Sequence, residues 1–326
     1  MPPPPDLSSY RLTPAESRSI FTNNILPLDI APIPPSPTPE TPTAILAVGQ
    51  TGAGKTRLSP VVLSAFDAAG RTPAHLIADV YKTHHPSYAS IPPHLASAAT
   101  GPDAREWLRM AVEEAAARRL DILLESACRH PEDFTSLASI LRDASYRLTV
   151  LVMAVPAPLS RLGTLVRYYH DLPEARSRGL PLRLTPAKVH DDSYDGLAKA
   201  VEWLDKTGIA DRVILLRRGN FIAHIQHKAD GEGALRDSLI RERSRPLTSE
   251  ERRVALDDLE KLHALAEASE NFNQIKVLVE PLLLSTADQD ASGYPILRQL
   301  RFHEDPADGD NEHTQRVPLF MNEADH

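Results

Sequence analysis

Residues 49–56 have the types and spacing of a loop that binds a polyphosphate. They fit the pattern G-x-x-x-x-G-K-[ST] at every position. In such a loop the glycines let backbone N–H groups close around phosphate at a helix N-terminus. Lys55 would reach the β- and γ-phosphates, and the hydroxyl of Thr56 would bind Mg²⁺. The loop predicts a nucleotide-binding protein that uses a nucleoside triphosphate with Mg²⁺. The predicted nucleotide-binding residues are Gly49, Gln50, Thr51, Gly52, Ala53, Gly54, Lys55 and Thr56.

The segments around this loop are the ones that it requires. The apolar run Ala44–Val48 is typical of a buried strand that leads into the loop, and Leu58–Ala69 is predicted to be the helix that leaves it. A match to the pattern alone can arise by chance in a glycine-containing loop. A strand before the loop and a helix after it argue against chance.

Strands and helices continue to alternate through the first two thirds of the chain. Further strands are predicted at 75–78, 122–124, 148–155 and 212–216, and helices at 103–119, from 131, at 159–171 and at 185–206. Apolar strands separated by helices indicate a parallel sheet covered on both faces. The predicted fold class is therefore α/β, a P-loop kinase-like three-layer sandwich with a mostly parallel sheet, plus a C-terminal helical extension.

Composition and capping patterns divide the chain into four predicted regions. Proline is concentrated near the N-terminus, where Thr13-Pro14-Ala15-Glu16 has the pattern of a capping box that opens a helix running to about Leu26. A second capping box, Thr248-Ser249-Glu250-Glu251, opens a helix far downstream. The regions are a Pro-rich segment with a short helix (1–42), a P-loop kinase domain (43–228), a helical extension (229–303), and a polar tail expected to be disordered (304–326).

Charge and composition exclude several classes of protein. A formal net charge of −8 gives no indication of a nucleic-acid-binding surface. The apolar stretches are shorter than the roughly 18 residues that a membrane span needs. The single cysteine, Cys128, excludes an internal disulfide and suits a reducing compartment, and the N-terminus lacks the features of a secretory signal. We expect a cytoplasmic protein with neither nucleic acid nor membrane as a partner.

Two carboxylates follow predicted strands at the edge of the sheet where ligands bind. Asp79 ends the strand after the loop helix, and Glu125 ends the next strand. In small-molecule kinases of this architecture, an acid near the γ-phosphate orients or deprotonates the acceptor hydroxyl. Asp79 has the alternative of capping a helix, and Glu125 that of a structural salt bridge.

The candidate cations surround a stretch with the composition of a mobile lid. Arg167 and Arg183 flank residues 173–183, and two arginines on a closing lid can clamp phosphates and exclude water. Arg176 and Arg178 lie within the same stretch, and periodicity does not choose among the four. Neither a Walker-B strand ending in Asp-Glu nor an Asn-Lys-x-Asp motif is evident, which argues against motor ATPases and GTPases.

Several sequence blocks occur together in a distinctive order. They are 44–58, 77–82 with 85–88, 122–125 with Arg129, 152–156, 162–168, 183–186, 190–191 and 206–208. Over roughly residues 10–220 the chain resembles the zeta toxin family, P-loop kinases that phosphorylate UDP-N-acetylglucosamine and are often paired with an antitoxin protein. The phosphate loop is generic, whereas the blocks around Arg167 and Arg183 are distinctive.

The resemblance implies roles for individual residues. Lys55 and Thr56 match the phosphate and Mg²⁺ ligands, and Asp79 matches the general base for the 3′-hydroxyl of the sugar. Arg167 and Arg183 match the two arginines that hold the ATP phosphates, so Asp79, Lys55, Arg167 and Arg183 are the implied catalytic residues. Glu125 and Arg129 fall in the block that meets the substrate.

One departure affects the acceptor. The family often has Glu-Gly-Thr after the third strand, whereas this chain has Glu125-Ser126-Ala127-Cys128. Ala127 cannot supply the hydrogen bond of a threonine hydroxyl. UDP-N-acetylglucosamine is thus the default acceptor, with a dinucleotide, a nucleoside or an antibiotic as alternatives. A different class of function is a nucleotide-binding regulatory protein with little turnover. The N-terminal helix could cover the nucleotide site as a partner would, although a brace is favoured.

Overall fold

An eight-stranded mixed sheet organises the part of the chain that the computed structural model describes, namely residues 6–37, 40–177, 184–230, 233–266, 269–284, 294, 296–303 and 314–320. The strands are β1 (Thr43–Val48), β2 (Ala74–Ile77), β3 (Ile122–Ser126), β4 (Arg147–Met153), β5 (Arg212–Arg217), β6 (Phe221–His227), β7 (Arg298–His303) and β8 (Thr314–Pro318). Their order across the sheet is β2-β3-β1-β4-β5-β6-β7-β8.

The first five strands of that order are parallel, as the alternating pattern predicts. Every residue of β1 is buried, because β3 and β4 flank it and helices cover both of its faces. Val48 at the end of β1 is in register with Ser126 on one side and Val152 on the other. The carboxyl ends of the three strands therefore meet at one edge, and the following loops share that edge.

Ten helices pack on the two faces of the sheet in the described residues. They are α1 (Pro14–Ile20), α2 (Lys55–Ala68), α3 (Ala78–Tyr81), α4 (Pro93–Ala117), α5 (Pro131–Asp143), α6 (Ala157–Ser177), α7 (Ala187–Thr207), α8 (Leu235–Ser244), α9 (Ser249–Ala266) and α10 (Glu270–Leu284). Alternate residues of β1 enter separate cores, since successive side chains of a strand point to opposite faces. Leu46 belongs to a core that includes residues of α4, α5 and α7, whereas Ile45 belongs to a core that includes residues of α2, α6, α9 and α10. The predicted three-layer α/β fold is confirmed.

The N-terminal helix is a brace on α4. The capping box of Thr13 and Glu16 is present, and the helix continues beyond Leu26 as a π-helical segment, Phe21–Ile30. Trp107 of α4 donates its indole N–H to the carbonyl of Ser17 at 2.9 Å. These contacts place the N-terminal helix against the outer layer of the sandwich, as the sequence favoured.

The predicted C-terminal helical extension is present as α8, α9 and α10, but two strands in this part of the chain were not predicted. Region 229–303 is not purely helical, because β7 lies within it, and β8 lies within the stretch 304–326 that was expected to be disordered. Strand β8 forms because it pairs in parallel with β7 and buries Val317, and Leu319 directly after the strand is buried as well. Strand β6 was also missed. It runs antiparallel to β5 and joins the C-terminal strands to the main sheet.

A buried cluster of charges fastens the C-terminal helices to β5. Arg217, the last residue of β5, donates two hydrogen bonds to the carboxylate of Glu251, at 2.9 and 2.6 Å, and one to the carbonyl of Glu242. Glu251 is also the acid of the predicted capping box, accepting from the backbone N–H of Thr248 at 3.0 Å. Because one carboxylate performs both tasks, the start of α9 is fixed directly to the end of a core strand.

We predict that Arg217→Met lowers the free energy of unfolding by about 3–5 kcal/mol, because it leaves the carboxylate of Glu251 buried without its cation. The matched control is Arg253→Met on α9. Arg253 is 67% exposed and pairs with Glu250, and such surface pairs contribute only about 0–1 kcal/mol. Urea denaturation measures both variants. Equal losses in the two would contradict a buried anchor.

Candidate active site

The phosphate loop has the backbone that its glycines permit. Gly52 and Gly54 have φ values of 79° and 109°, in the left-handed region that glycine adopts without strain. A Cβ at Gly52 would collide with the carbonyl of Ser160 and lie 2.5 Å from the hydroxyl of Thr164. The loop thus lies directly on α6, and α2 begins at Lys55. The predicted succession of strand, loop and helix is confirmed.

Lys55 is the positive centre of the site. Its ammonium donates to the carbonyl of Gly49 at 2.5 Å and faces that of Gln50 at 3.4 Å. Burial lowers the pKa of Lys55, while the carboxylates of Glu125 and Asp79 act in the opposite direction. Arg167 adds to the lowering. These interactions show that the two predicted acids and one predicted arginine lie around the same ammonium.

Asp79 lies in the first turn of α3 rather than capping it. Ile77 is the N-cap residue of α3, so the alternative role of Asp79 as a cap is wrong. Its carboxylate, 81% exposed, accepts a hydrogen bond from Lys82 Nζ at 2.5 Å, and the same ammonium donates to Ser97 of α4 at 2.8 Å. Desolvation acts to raise the pKa of Asp79, but Lys82, Lys55 and Arg167 outweigh it and lower that pKa. Asp79 is therefore ionised at neutral pH.

Glu125 links three elements at the edge of the sheet. Its Oε1 accepts from the hydroxyl of Ser59 on α2 at 2.6 Å and faces Nε2 of His75 on β2 at 2.9 Å. Burial would raise the pKa of Glu125, but the hydrogen bonds from His75 and Ser59 lower it. The structural partner considered for Glu125 is thus present as a hydrogen bond with His75, which is a salt bridge only when the imidazole is protonated. The positive charge of Lys55 also lowers the pKa of Glu125, so this carboxylate lies near the ammonium.

The predicted arginines have different positions. Arg167 is exposed on α6 and acts electrostatically on both Lys55 and Asp79. Arg183 lies outside the described residues, as do residues 178–182 of the predicted lid, while 173–177 form the last part of α6. Arg129 follows β3, and its Nε lies 3.7 Å from the carboxylate of Asp192 on α7.

The residues predicted for the metal are few. Thr56 is exposed in the first turn of α2, beside Lys55. No group of three or more His, Cys, Asp or Glu side chains suited to a metal ion occurs within the ranges given above. Cys128 is buried, and burial raises the pKa of its thiol to about 11. This buried thiol is a packing residue.

Sequence reasoning missed a group of side chains that support the loop from behind. Gln50 donates to the carbonyl of Val155 at 2.7 Å and to Ser160 Oγ at 3.2 Å, and Ser160 Oγ lies 2.7 Å from Nε2 of His190. Arg218 donates to the carbonyl of Gly52 at 2.9 Å. Lys82, the partner of Asp79, was also missed, although its spacing of three residues from Asp79 on one helical turn is a local signal. The others are brought together by tertiary packing.

The sequence model of the zeta toxin family matches residues 30–229, more than half of the chain. The chain belongs to the zeta toxin family. Toxin zeta of Enterococcus hirae is 25% identical over 228 residues, covering 67% of this chain and 74% of the relative. Toxin PezT of Streptococcus pneumoniae is 25% identical over 181 residues, covering 54% and 68%. Members of this family are known as kinase-like toxins, and membership therefore supports a kinase-like enzyme.

A solved structure supports the fold. A chain from the PezAT chromosomal toxin–antitoxin system of Streptococcus pneumoniae superposes with a TM-score of 0.64 at 19% identity, covering 80% of this chain and all of the other. The agreement extends the family assignment to the arrangement of the sheet and its helices. Among the described residues, no helix has both the length and the apolar character needed to cross a membrane.

We predict that Lys82→Met raises the pKa of Asp79, because it removes the charge and the hydrogen bond that favour the ionised carboxylate. A ¹³C NMR titration of the Asp79 carboxyl carbon measures this shift. Lys206→Met is the matched control, since Lys206 pairs with Glu202 on the exposed side of α7. An unchanged Asp79 titration in Lys82→Met would show that the ion pair does not set its pKa.

Proposed function

We propose that this protein is an ATP-dependent kinase that transfers the γ-phosphate to a hydroxyl of a nucleotide sugar, with the 3′-hydroxyl of UDP-N-acetylglucosamine as the default acceptor. The observation that carries the proposal is the position of an ionised, solvent-facing carboxylate, Asp79, close to the phosphate-loop Lys55. A protein that only binds a nucleotide has no need of such a base. The family assignment supports the same reaction class.

The phosphate-binding half of the site matches the requirements of ATP. Backbone N–H groups of residues 50–56 would bind the phosphates at the N-terminus of α2, and Lys55 would exchange its bond to the carbonyl of Gly49 for the β- and γ-phosphates. The Thr56 hydroxyl would hold Mg²⁺, which neutralises phosphate charge when bound. Arg167 and Arg183 would add positive charge around the transferred group.

In phosphoryl transfer, the protein contributes mainly by positioning the reactants and by stabilising charge. The acceptor oxygen bonds to the γ-phosphorus as the bond from that phosphorus to the β–γ bridging oxygen breaks, which leaves ADP. The acceptor proton passes to the carboxylate of Asp79. Because phosphoryl transfer has a loose transition state, a base that mainly orients the hydroxyl is sufficient. A lowered pKa at Asp79 therefore fits the role.

The acceptor half of the site matches the family pattern less well than the phosphate-binding half does. Glu125 keeps acceptor capacity beyond its bonds to Ser59 and His75, since a carboxylate offers about four lone-pair positions. Arg129 would contact the acceptor from the loop after β3. Ala127 lacks the hydroxyl that the family often has there, so another hydroxyl acceptor, such as a dinucleotide, a nucleoside or an antibiotic, is the alternative. Because a relative of similar fold comes from a toxin–antitoxin system, we also propose an antitoxin partner and a cytoplasmic site of action.

The direct test incubates the purified protein with ATP, Mg²⁺ and UDP-N-acetylglucosamine and analyses the products by mass spectrometry. We expect a product with one added phosphoryl group and its loss in Asp79→Asn, with ATP affinity retained, because only the base is removed. ADP without this product would contradict the default acceptor. No turnover in the wild type, with ATP still bound, would favour a regulatory protein.

A second prediction concerns the contact that shapes the loop. A Cβ at Gly163 of α6 would collide with Nη2 of Arg218 and lie 2.5 Å from the carbonyl oxygen of Gly52, so Gly163→Ala disturbs the contact between α6, Arg218 and the loop. We expect ATP to bind about tenfold more weakly or worse, a loss of about 1.4 kcal/mol or more. Isothermal titration calorimetry measures the affinity.

The matched control for Gly163→Ala is Gly101→Ala within α4. A Cβ at Gly101 would meet Arg105 at an ordinary 3.6 Å. This substitution should leave ATP affinity unchanged and stabilise the helix by roughly 0.5–1 kcal/mol. Equal ATP affinity in the two variants would show that the close approach of α6 does not shape the nucleotide site.

A further inference from the structure

Helix α8 lies beyond residues 30–229, where the family model matches, yet it reaches the phosphate loop. Near its end, the guanidinium of Arg243 lies 3.6 Å from the centroid of the Tyr194 ring. Its Nη2 donates to the carbonyl of Tyr194 at 3.1 Å and to Oε1 of Gln50 at 3.5 Å. Arg243 therefore joins α8, α7 and the first variable residue of the phosphate loop.

The hydrogen bonds of Gln50 explain what this contact does. The Gln50 side chain is fully buried, and its Nε2 is committed to the carbonyl of Val155 and to Ser160 Oγ. The amide oxygen then points the other way, toward Arg243. A buried amide oxygen without a donor is costly, so the cation fixes which way the carboxamide faces. With both ends held, Gln50 anchors the loop in one conformation.

The rest of the C-terminal region makes this contact firm. Arg217 ties α8 and α9 to the end of β5 through Glu242 and Glu251. Arg218, the next residue, donates to the carbonyl of Gly52 and lies 3.9 Å from Asp258 of α9. Helix α8 thus carries the guanidinium of Arg243 to the phosphate loop, and Asp258 of α9 lies beside the guanidinium of Arg218, which contacts the same loop.

We propose that Arg243 is a positioning residue for the phosphate loop, acting through Gln50, so that α8 is part of the nucleotide site. The ligand class, a nucleoside triphosphate, rests on the proposed function. The loop support itself does not, because it rests on the contacts of Arg243 and Gln50. Arg243 touches neither the reacting atoms nor the predicted phosphate position, and its effect passes through the carboxamide.

The test compares Arg243→Met with Arg236→Met in the full-length protein. Arg236 is on the same helix, 55% exposed, with Glu202 at 3.8 Å. We expect Arg243→Met to weaken the binding of Mg²⁺-ATP about tenfold, as expected for a lost hydrogen bond to a charged donor, with Arg236→Met unchanged. In a Gln50→Leu background, the same Arg243→Met substitution should have little further effect, because the two residues act as a unit.

Amide hydrogen exchange of residues 49–56 in the nucleotide-free protein separates the two proposals. Faster exchange in Arg243→Met, confined to the loop, supports the positioning role even if the wild type binds no ATP, a result that would overturn only the proposed function. If Arg243→Met lowers thermal stability throughout, Arg243→Lys replaces it, since lysine lacks the planar fork and the stacking. ATP affinity and loop exchange equal to Arg236→Met would overturn the proposal, as would weaker ATP binding with unchanged loop exchange.

Discussion

The close approach of the phosphate loop to helix α6 is the constraint on which the candidate site depends. The backbone of Gly52 has room neither for a Cβ of its own nor for one on Gly163 opposite it. The two glycines let the loop rest on α6, which in turn brings Arg167 toward Lys55. Since α6 also packs against α9 and α10, the positions of the loop and of Arg167, a predicted phosphate-binding residue, depend on a common scaffold.

The sequence predicted the fold well wherever the signal was local. The apolar run of β1 and the capping boxes at Thr13 and Thr248 are each determined by a few adjacent residues, and all are present. The failures share a different cause. Strands β7 and β8 are short and carry arginine, glutamine and histidine, so they become strands only by pairing with each other and with β6. No local pattern records such pairing.

The site shows the same division. Asp79 and Glu125 were predicted as site residues because parallel strands bring their carboxyl ends to one edge of the sheet. The sequence did not predict the side chains that pair with these carboxylates, and only one of those partners is near in sequence. Lys82 is three residues from Asp79, whereas the partner of Glu125 is His75, fifty residues away on a neighbouring strand. A side chain's contacts across the sheet depend on register, which a single sequence does not reveal.

The hydrogen bonds of Lys55 and Asp79 in this structure are compatible with the proposed reaction. In this structure Lys55 donates to the loop's own carbonyl at Gly49, so under the proposed function a phosphate would replace that hydrogen bond rather than add one. At Asp79, Lys82 engages Oδ1, and among the described residues no hydrogen bond to Oδ2 is present. Oδ2 can then face an acceptor hydroxyl without breaking the ion pair. Lys82 keeps Asp79 ionised, and because it also donates to Ser97, it fixes the orientation of the carboxylate. The carboxylate is therefore less basic but more precisely positioned. That combination suits phosphoryl transfer, in which position contributes more than proton affinity.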